Sequence, residues 1–186
     1  NMSHMFQNCG YTAMTTLNLG TQFNTSKVTD MSYMFYATGN KALTSLNLQS
    51  NFSTSIVTDM SYMFFRCGYT SMTSLTLGSK FNTSKVTNMN SMFQETGYTK
   101  MTSLNLGKSF YTTAVTDTSN MFKRCGETAM TTLDLGPAFT KIGATYTEMF
   151  ANTGKSGAKI YAPESIYSNR TNFKLSSTST TKVEYQ

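Results

Sequence analysis

The chain has 186 residues, only 13% of them charged, with a formal net charge of +6, 14 Met, 3 Cys and a single His. The length suits one domain. The basic excess is dispersed, with no Lys/Arg cluster along one face, which argues against nucleic-acid binding. No apolar run approaches the roughly 18 residues that a transmembrane helix needs.

Six Met-Phe pairs punctuate the sequence: Met5-Phe6, Met34-Phe35, Met63-Phe64, Met92-Phe93, Met121-Phe122 and Met149-Phe150. Successive Phe residues of these pairs are 29, 29, 29, 29 and 28 positions apart. Self-similarity at a fixed period of roughly 20–50 residues marks a repeat architecture, one small unit copied and stacked.

The opening Asn1-Met2-Ser3-His4-Met5-Phe6 aligns with Asp30-Met31-Ser32-Tyr33-Met34-Phe35. The chain therefore starts in mid-repeat, without a signal peptide, and is expected to be a fragment of a longer protein. The first strand is expected at Met14-x-x-Leu17-x-Leu19, and the same spacing returns at Leu43, Met72, Met101 and Met130. Leu-x-Leu alternation reads as a half-buried strand, and L-x-x-L-x-L is the strand signature of leucine-rich repeats. Phe23, Phe52, Phe81, Phe110 and Phe139 then hold a turn and should form a buried aromatic ladder. Val-Thr at 28–29 predicts a short second strand. Val28, Met31, Met34 and Phe35 share one helical face. Thr29 or Asp30 would cap that helix, and Gly39 would end it as a left-handed residue. Each copy thus predicts one strand and one short helix, partly 3₁₀.

All 14 Met fall at three repeat positions and 11 of the 13 Phe at two, so both read as core rather than as soft-metal ligands. Cys9, Cys67 and Cys125 alternate from copy to copy with Thr38, Thr96 and Thr153. That predicts free, buried thiols two rungs apart, about 10 Å at a rung spacing near 4.8 Å, beyond disulfide reach.

The fold class predicted is an α/β repeat solenoid of leucine-rich-repeat type, occupying 1–154 with its first copy truncated. From 155 to 186 the period dissolves into a C-terminal α/β cap covering the open end of the stack. In the cap a strand is expected at Ala158–Ala162. A helix should start at Pro163-Glu164, with Ile166, Tyr167 and Phe173 facing inward. A polar loop over 176–181 and a strand over 181–185 complete it.

The residue constellations of an enzyme are missing. His4 aligns with Tyr33, Tyr62, Ser91 and Asn120 and reads as a surface residue, not a general base. Gly154-Lys155-Ser156 lacks the preceding Gly of a phosphate loop, since residue 149 is Met. Asp30, Asp59, Asn88 and Asp117 line up as a ladder. Stacked carboxylates suit Ca²⁺, but capping accounts for the same positions. No cofactor and no metal is expected. Of the sequons at Asn24, Asn51, Asn82 and Asn169, those at Asn24 and Asn82 are one repeat position counted twice.

The outward strand positions are Thr16 and Asn18, Ser45 and Asn47, Ser74 and Thr76, Ser103 and Asn105, and Thr132 and Asp134. They make a small, polar, nearly uncharged surface, and extended faces of this kind bind partners in many solenoids. Keeping an exposed sheet soluble accounts for them equally well. Tyr11, Tyr69 and Tyr98 form a second candidate set, because aromatic residues are enriched in binding hot spots; packing over the loop beneath is the alternative.

The run Phe52-Ser-Thr-Ser-Ile-Val-Thr-Asp-Met-Ser-Tyr-Met-Phe64, with Cys67 and Leu75-x-Leu77 after it, closely resembles the BspA-like leucine-rich-repeat surface proteins of bacteria. The motif repeats over 23–35 and 81–93, and the tail segments Lys159-Ile-Tyr-Ala-Pro and Thr181-Lys-Val-Glu-Tyr resemble that family's closing segment. The resemblance implies an extracellular protein, secreted or at the cell surface. Its non-enzymatic role would be adhesion to a protein or glycan of host matrix, mucosa or another cell, with no nucleic-acid partner and no membrane insertion by this segment. It supplies no catalytic residues. The alternative is a structural spacer or self-assembling stalk of a larger surface protein.

Overall fold

The computed structural model describes residues 1–166 and 182–185. Seven short strands follow in chain order: β1 (Thr16–Leu17), β2 (Ser45–Asn47), β3 (Ser74–Thr76), β4 (Ser103–Asn105), β5 (Thr132–Asp134), β6 (Lys159–Ala162) and β7 (Lys182–Tyr185). Each Leu-x-Leu motif supplies one strand. β2, β3 and β4 show the exposed–buried–exposed alternation that a sheet with one face on the core requires. All pairings are parallel, and β1–β2, β2–β3 and β4–β5 pair in repeat register, with Leu46 opposite Leu75 and Leu104 opposite Leu133. The strands divide into a three-stranded sheet, β1-β2-β3, and a four-stranded one, β4-β5-β6-β7. The division is confined to the strand line. At that same level the Asn88↔Asp117 bridge and the Phe81–Phe110 stack cross from copy to copy.

The expected second strand is present as single parallel bridges, Asp30↔Asp59, Asp59↔Asn88, Asn88↔Asp117 and Asp117↔Thr145. The expected helix is not. Residues 32–42 run as consecutive turns, and among the described residues the only helical element is a 3₁₀ turn at 164–166, after Pro163. Two features displace the helix. Tyr33, Ala37 and Gly39 have φ of 58, 50 and 55°, against about −63° in an α-helix. The amides that a helix would direct four residues back instead reach the next copy: Met31 donates to Asp59 O at 3.0 Å, Tyr33 to Ser61 O at 2.9 Å, Phe35 to Met63 O at 2.9 Å and Ala37 to Phe65 O at 2.7 Å. The intervening amides close four-residue turns, Met34 to Met31 O at 3.2 Å and Tyr36 to Tyr33 O at 3.1 Å. Left-handed non-glycine residues cost roughly 1–3 kcal/mol each. They are held because every copy offers its neighbour an aligned row of acceptors, which leaves few buried backbone groups unpaired.

The glycine that follows each Met-Phe pair is left-handed, as expected, and a Cβ at Gly68 would collide with Met72 Cβ. From Gly39 the donation reverses: its amide reaches back to Cys9 O at 2.8 Å, and Lys41 N–H to Tyr11 O at 2.9 Å.

The core is a set of columns. Phe6, Phe35, Phe64, Phe93, Phe122 and Phe150 form an unbroken stack with centroid spacings of 5.3–5.5 Å and ring planes within 9° of each other. The Phe23 line runs beside it, Phe52, Phe81, Phe110 and Phe139 being buried. Thr38, Thr96 and Thr153 donate their hydroxyls to the carbonyls of Phe6, Phe64 and Phe122, while Cys67 and Cys125 fill the same column as free, fully buried thiols. Cys9 departs from expectation: it is free but exposed, because its copy has a neighbour on one side only among the described residues. Ile166 is buried; Tyr167, Phe173, Asn169 and the 176–181 loop lie outside the described residues. No helix of the described residues is long and apolar enough to cross a membrane.

Candidate binding face

The repeat sets the outward strand residues in two rows, register-paired within each sheet and unpaired between β3 and β4. Thr16, Ser45, Ser74 and Ser103 form one and Asn18, Asn47, Thr76 and Asn105 the other, all exposed; Thr132 and Asp134 continue the rows half-buried. Four of the five residues of the second row are tied to the backbone. Asn18, Asn47, Asn105 and Asp134 each accept, through Oδ1, the amide two residues on, at 2.7–2.9 Å. These Asx turns follow β1, β2, β4 and β5; β3 ends at Thr76 instead. Asn105 Nδ2 then donates to Asp134 Oδ2 at 2.9 Å.

The Asp30 line does related work on the neighbouring edge. Asp30, Asp59, Asn88 and Asp117 each accept the amide two residues ahead at 2.8–3.1 Å, so they cap turns rather than helices. Asn88 Nδ2 donates to Asp59 at 3.2 Å and Asn90 Nδ2 to Asp117 at 3.3 Å, which separates like charges along the line. Burial pushes the Asp117 carboxyl up, but hydrogen bonds from Ser119, Thr145 and Asn90 outweigh it and hold the group below the ordinary Asp value. Among the described residues no group of three or more His, Cys, Asp or Glu gathers to hold a metal ion.

Tyr69 and Tyr98 are brought together, stacked at 4.6 Å, whereas Tyr11 stands in a different copy, 41% exposed. The guanidinium of Arg66 covers Tyr69 at 5.0 Å and that of Arg124 covers Tyr98 at 4.9 Å. Both Arg residues clamp Glu95, 8% exposed, with Arg66 Nε 2.9 Å from Oε2 and Arg124 Nη1 3.3 Å from Oε1. Arg124 is anchored further by Glu127 at 2.7 Å, and its pKa is raised above the ordinary Arg value chiefly by that bond. The two tyrosine faces are thus occupied within the chain. His4, Tyr33 and Tyr62 form a similar column at 4.7 Å, with Tyr36 and Phe65 beside it at 4.9 Å. Sequence reasoning missed this second aromatic column; the signal was present, since His4, Tyr33 and Tyr62 share one repeat position.

The end of the outward rows carries a residue the repeat positions did not flag. β6 pairs in register with β5, which sets Tyr161 beside Asp134. Asn105, Asp134 and Tyr161 line a hollow of about 470 Å³ with Lys108, Pro137 and Pro163.

Among curated proteins and among solved structures no match was found. The sequence pattern of one protein family, described as "Mycoplasma protein of unknown function, DUF285", matches residues 1–134 and 44–162. Those two spans take in every Met-Phe copy, and the chain belongs to that family.

Proposed function

We propose that the chain is a solenoid of leucine-rich-repeat kind, with consecutive turns in place of the helix. We further propose that it serves as a non-enzymatic adhesion module at a bacterial cell surface, taking as partner a host or cell-surface macromolecule, protein or glycan. The observation that carries this reading is the outward double row from Thr16 to Asp134, polar and nearly uncharged. Its Asn and Asp side chains are already oriented by Asx turns. Side chains fixed before contact lose little entropy on binding, and repetition along the stack multiplies weak contacts on an extended ligand. The spacer reading draws on a different observation, the six-ring Phe column and copy-to-copy hydrogen bonds that run the length of the repeats. One experiment separates the two. The chain is titrated against immobilised matrix proteins, mucins and whole cells; saturable binding to any of them supports the adhesin, and binding to none supports the spacer.

A further inference from the structure

We propose that the C-terminal end of the outward row is a saccharide subsite, formed by Asn105, Asp134 and Tyr161, that takes a neutral hexopyranose. The proposal rests on the adhesion reading and names a ligand class for it. A pyranose has one apolar C–H face and a rim of hydroxyls, each both donor and acceptor. Its recognition calls for a flat aromatic surface beside an adjacent donor and acceptor that are already fixed.

This hollow holds those parts on successive rungs. Asn105 lies opposite Asp134, and Asp134 opposite Tyr161, so the three side chains follow one another at about 4.8 Å per rung. The Oδ1 atoms of Asn105 and Asp134 are tied to the amides of Gly107 and Gly136 at 2.7 and 2.9 Å. The outer atoms form a single Nδ2–H···Oδ2 bond at 2.9 Å. That leaves one N–H on Asn105 and acceptor capacity on the Asp134 carboxylate, side by side, the complement of two neighbouring sugar hydroxyls. Tyr161 is the one aromatic residue in the row. Unlike Tyr33, Tyr62, Tyr69 and Tyr98, it stacks on no other ring among the described residues. Pro137 and Pro163 give the hollow its apolar walls, and its volume of about 470 Å³ falls among small-molecule sites. Lys108 and Asp134 contribute one charge of each sign, which favours a neutral sugar over an acidic one.

The repeat itself supplies substitutions that keep the fold. Asn stands at the Asp134 position in three other copies and caps the same turn, so Asp134→Asn removes the carboxylate and little else. Tyr161→Asn restores the residue type that this row carries elsewhere. The ¹⁵N-labelled chain is titrated with glucose, galactose, mannose and N-acetylglucosamine, and with N-acetylneuraminic acid as the acidic control. Amide shifts confined to 105–108, 134–136 and 161–162 are expected for at least one neutral sugar, with Kd near 1–10 mM, about 4.1 kcal/mol or less. Both variants should weaken that response at least about tenfold while amides of the first three copies stay in place. Absence of a response to every neutral sugar overturns the subsite, as does a response that survives both substitutions or one given to the acidic sugar alone. A chain that binds a macromolecule on the panel and no sugar loses only this inference; a chain that binds nothing on the panel loses the adhesion reading.

Discussion

Phe93→Ala should be among the most destabilising single substitutions in the molecule. Phe93 is fully buried in mid-column, 5.3 Å from Phe64 and 5.4 Å from Phe122, with Phe110 tilted against it at 6.2 Å. Truncating a buried Phe costs about 3–5 kcal/mol. Here the upper part of that range applies, because the ring closes contacts on both sides and neighbouring copies stabilise each other through their shared interface. For a chain of this size about 2–4 °C is lost per kcal/mol, so at about 4–5 kcal/mol a Tm drop of about 8–20 °C is expected. Phe6→Ala is the internal control: Phe6 is half-buried and among the described residues has one column neighbour, Phe35 at 5.4 Å. Its loss should be no more than about half as large. Thermal unfolding followed by circular dichroism measures both. Equal, small midpoint shifts in the two variants would refute the column as the source of stability.

Gly68→Ala should destabilise by roughly 1–3 kcal/mol, because the left-handed backbone there leaves no room for a Cβ against Met72; a neutral melting curve would contradict the turn path. Thiol titration of the native chain should find Cys9 reacting quickly and Cys67 and Cys125 only after denaturation, since burial pushes the Cys67 thiol up to about 12, raises that of Cys125 too, and thiolate is the reactive form. Three fast thiols would mean the columns open readily. The Asp117 carboxyl is held below its ordinary value in the fold, so its contribution is complete above about pH 4 and is lost as pH falls through the folded value. Asp117→Asn, a residue the same line accommodates at Asn88, should therefore flatten the acid limb of a Tm–pH profile, and an unchanged limb would remove Asp117 as a contributor.

The strands and columns were legible because a fixed period leaves little freedom. Once Leu17, Leu46 and Leu75 share a repeat position, parallel in-register pairing follows, and the Met and Phe columns with it. The turns that stand in place of the expected helix were not legible because the pattern was ambiguous. Val28, Met31, Met34 and Phe35 can face inward from a helix or from overlapping turns, and only the neighbouring copy's carbonyls decide between them. Left-handed Tyr33 and Ala37 carry no compositional mark, unlike Gly39. The same kind of limit hid Tyr161. Its strand was visible in Lys159-Ile-Tyr-Ala, but outside the 29-residue period no alignment set it beside Asp134; the β5–β6 register does. Tyr69 and Tyr98 were visible as a repeat pair, while the covering Arg66 and Arg124 sit at a different repeat position and were missed.

The claim that partners meet the outward strand row is tested most directly by moving charge. In one variant Ser45, Ser74 and Ser103 become Glu, on the first outward row; in the other Ser26, Ser55 and Ser84 become Glu, on the exposed turn after the Phe23 line. Both add three carboxylates at equal rung spacing, so any effect on the stack itself is shared. Affinity for whichever panel macromolecule the native chain binds is then measured for all three proteins. The strand-row variant should lose at least about tenfold, or 1.4 kcal/mol, with the turn variant within about twofold of native. Loss in the turn variant alone, or equal retention in both, would contradict the binding face.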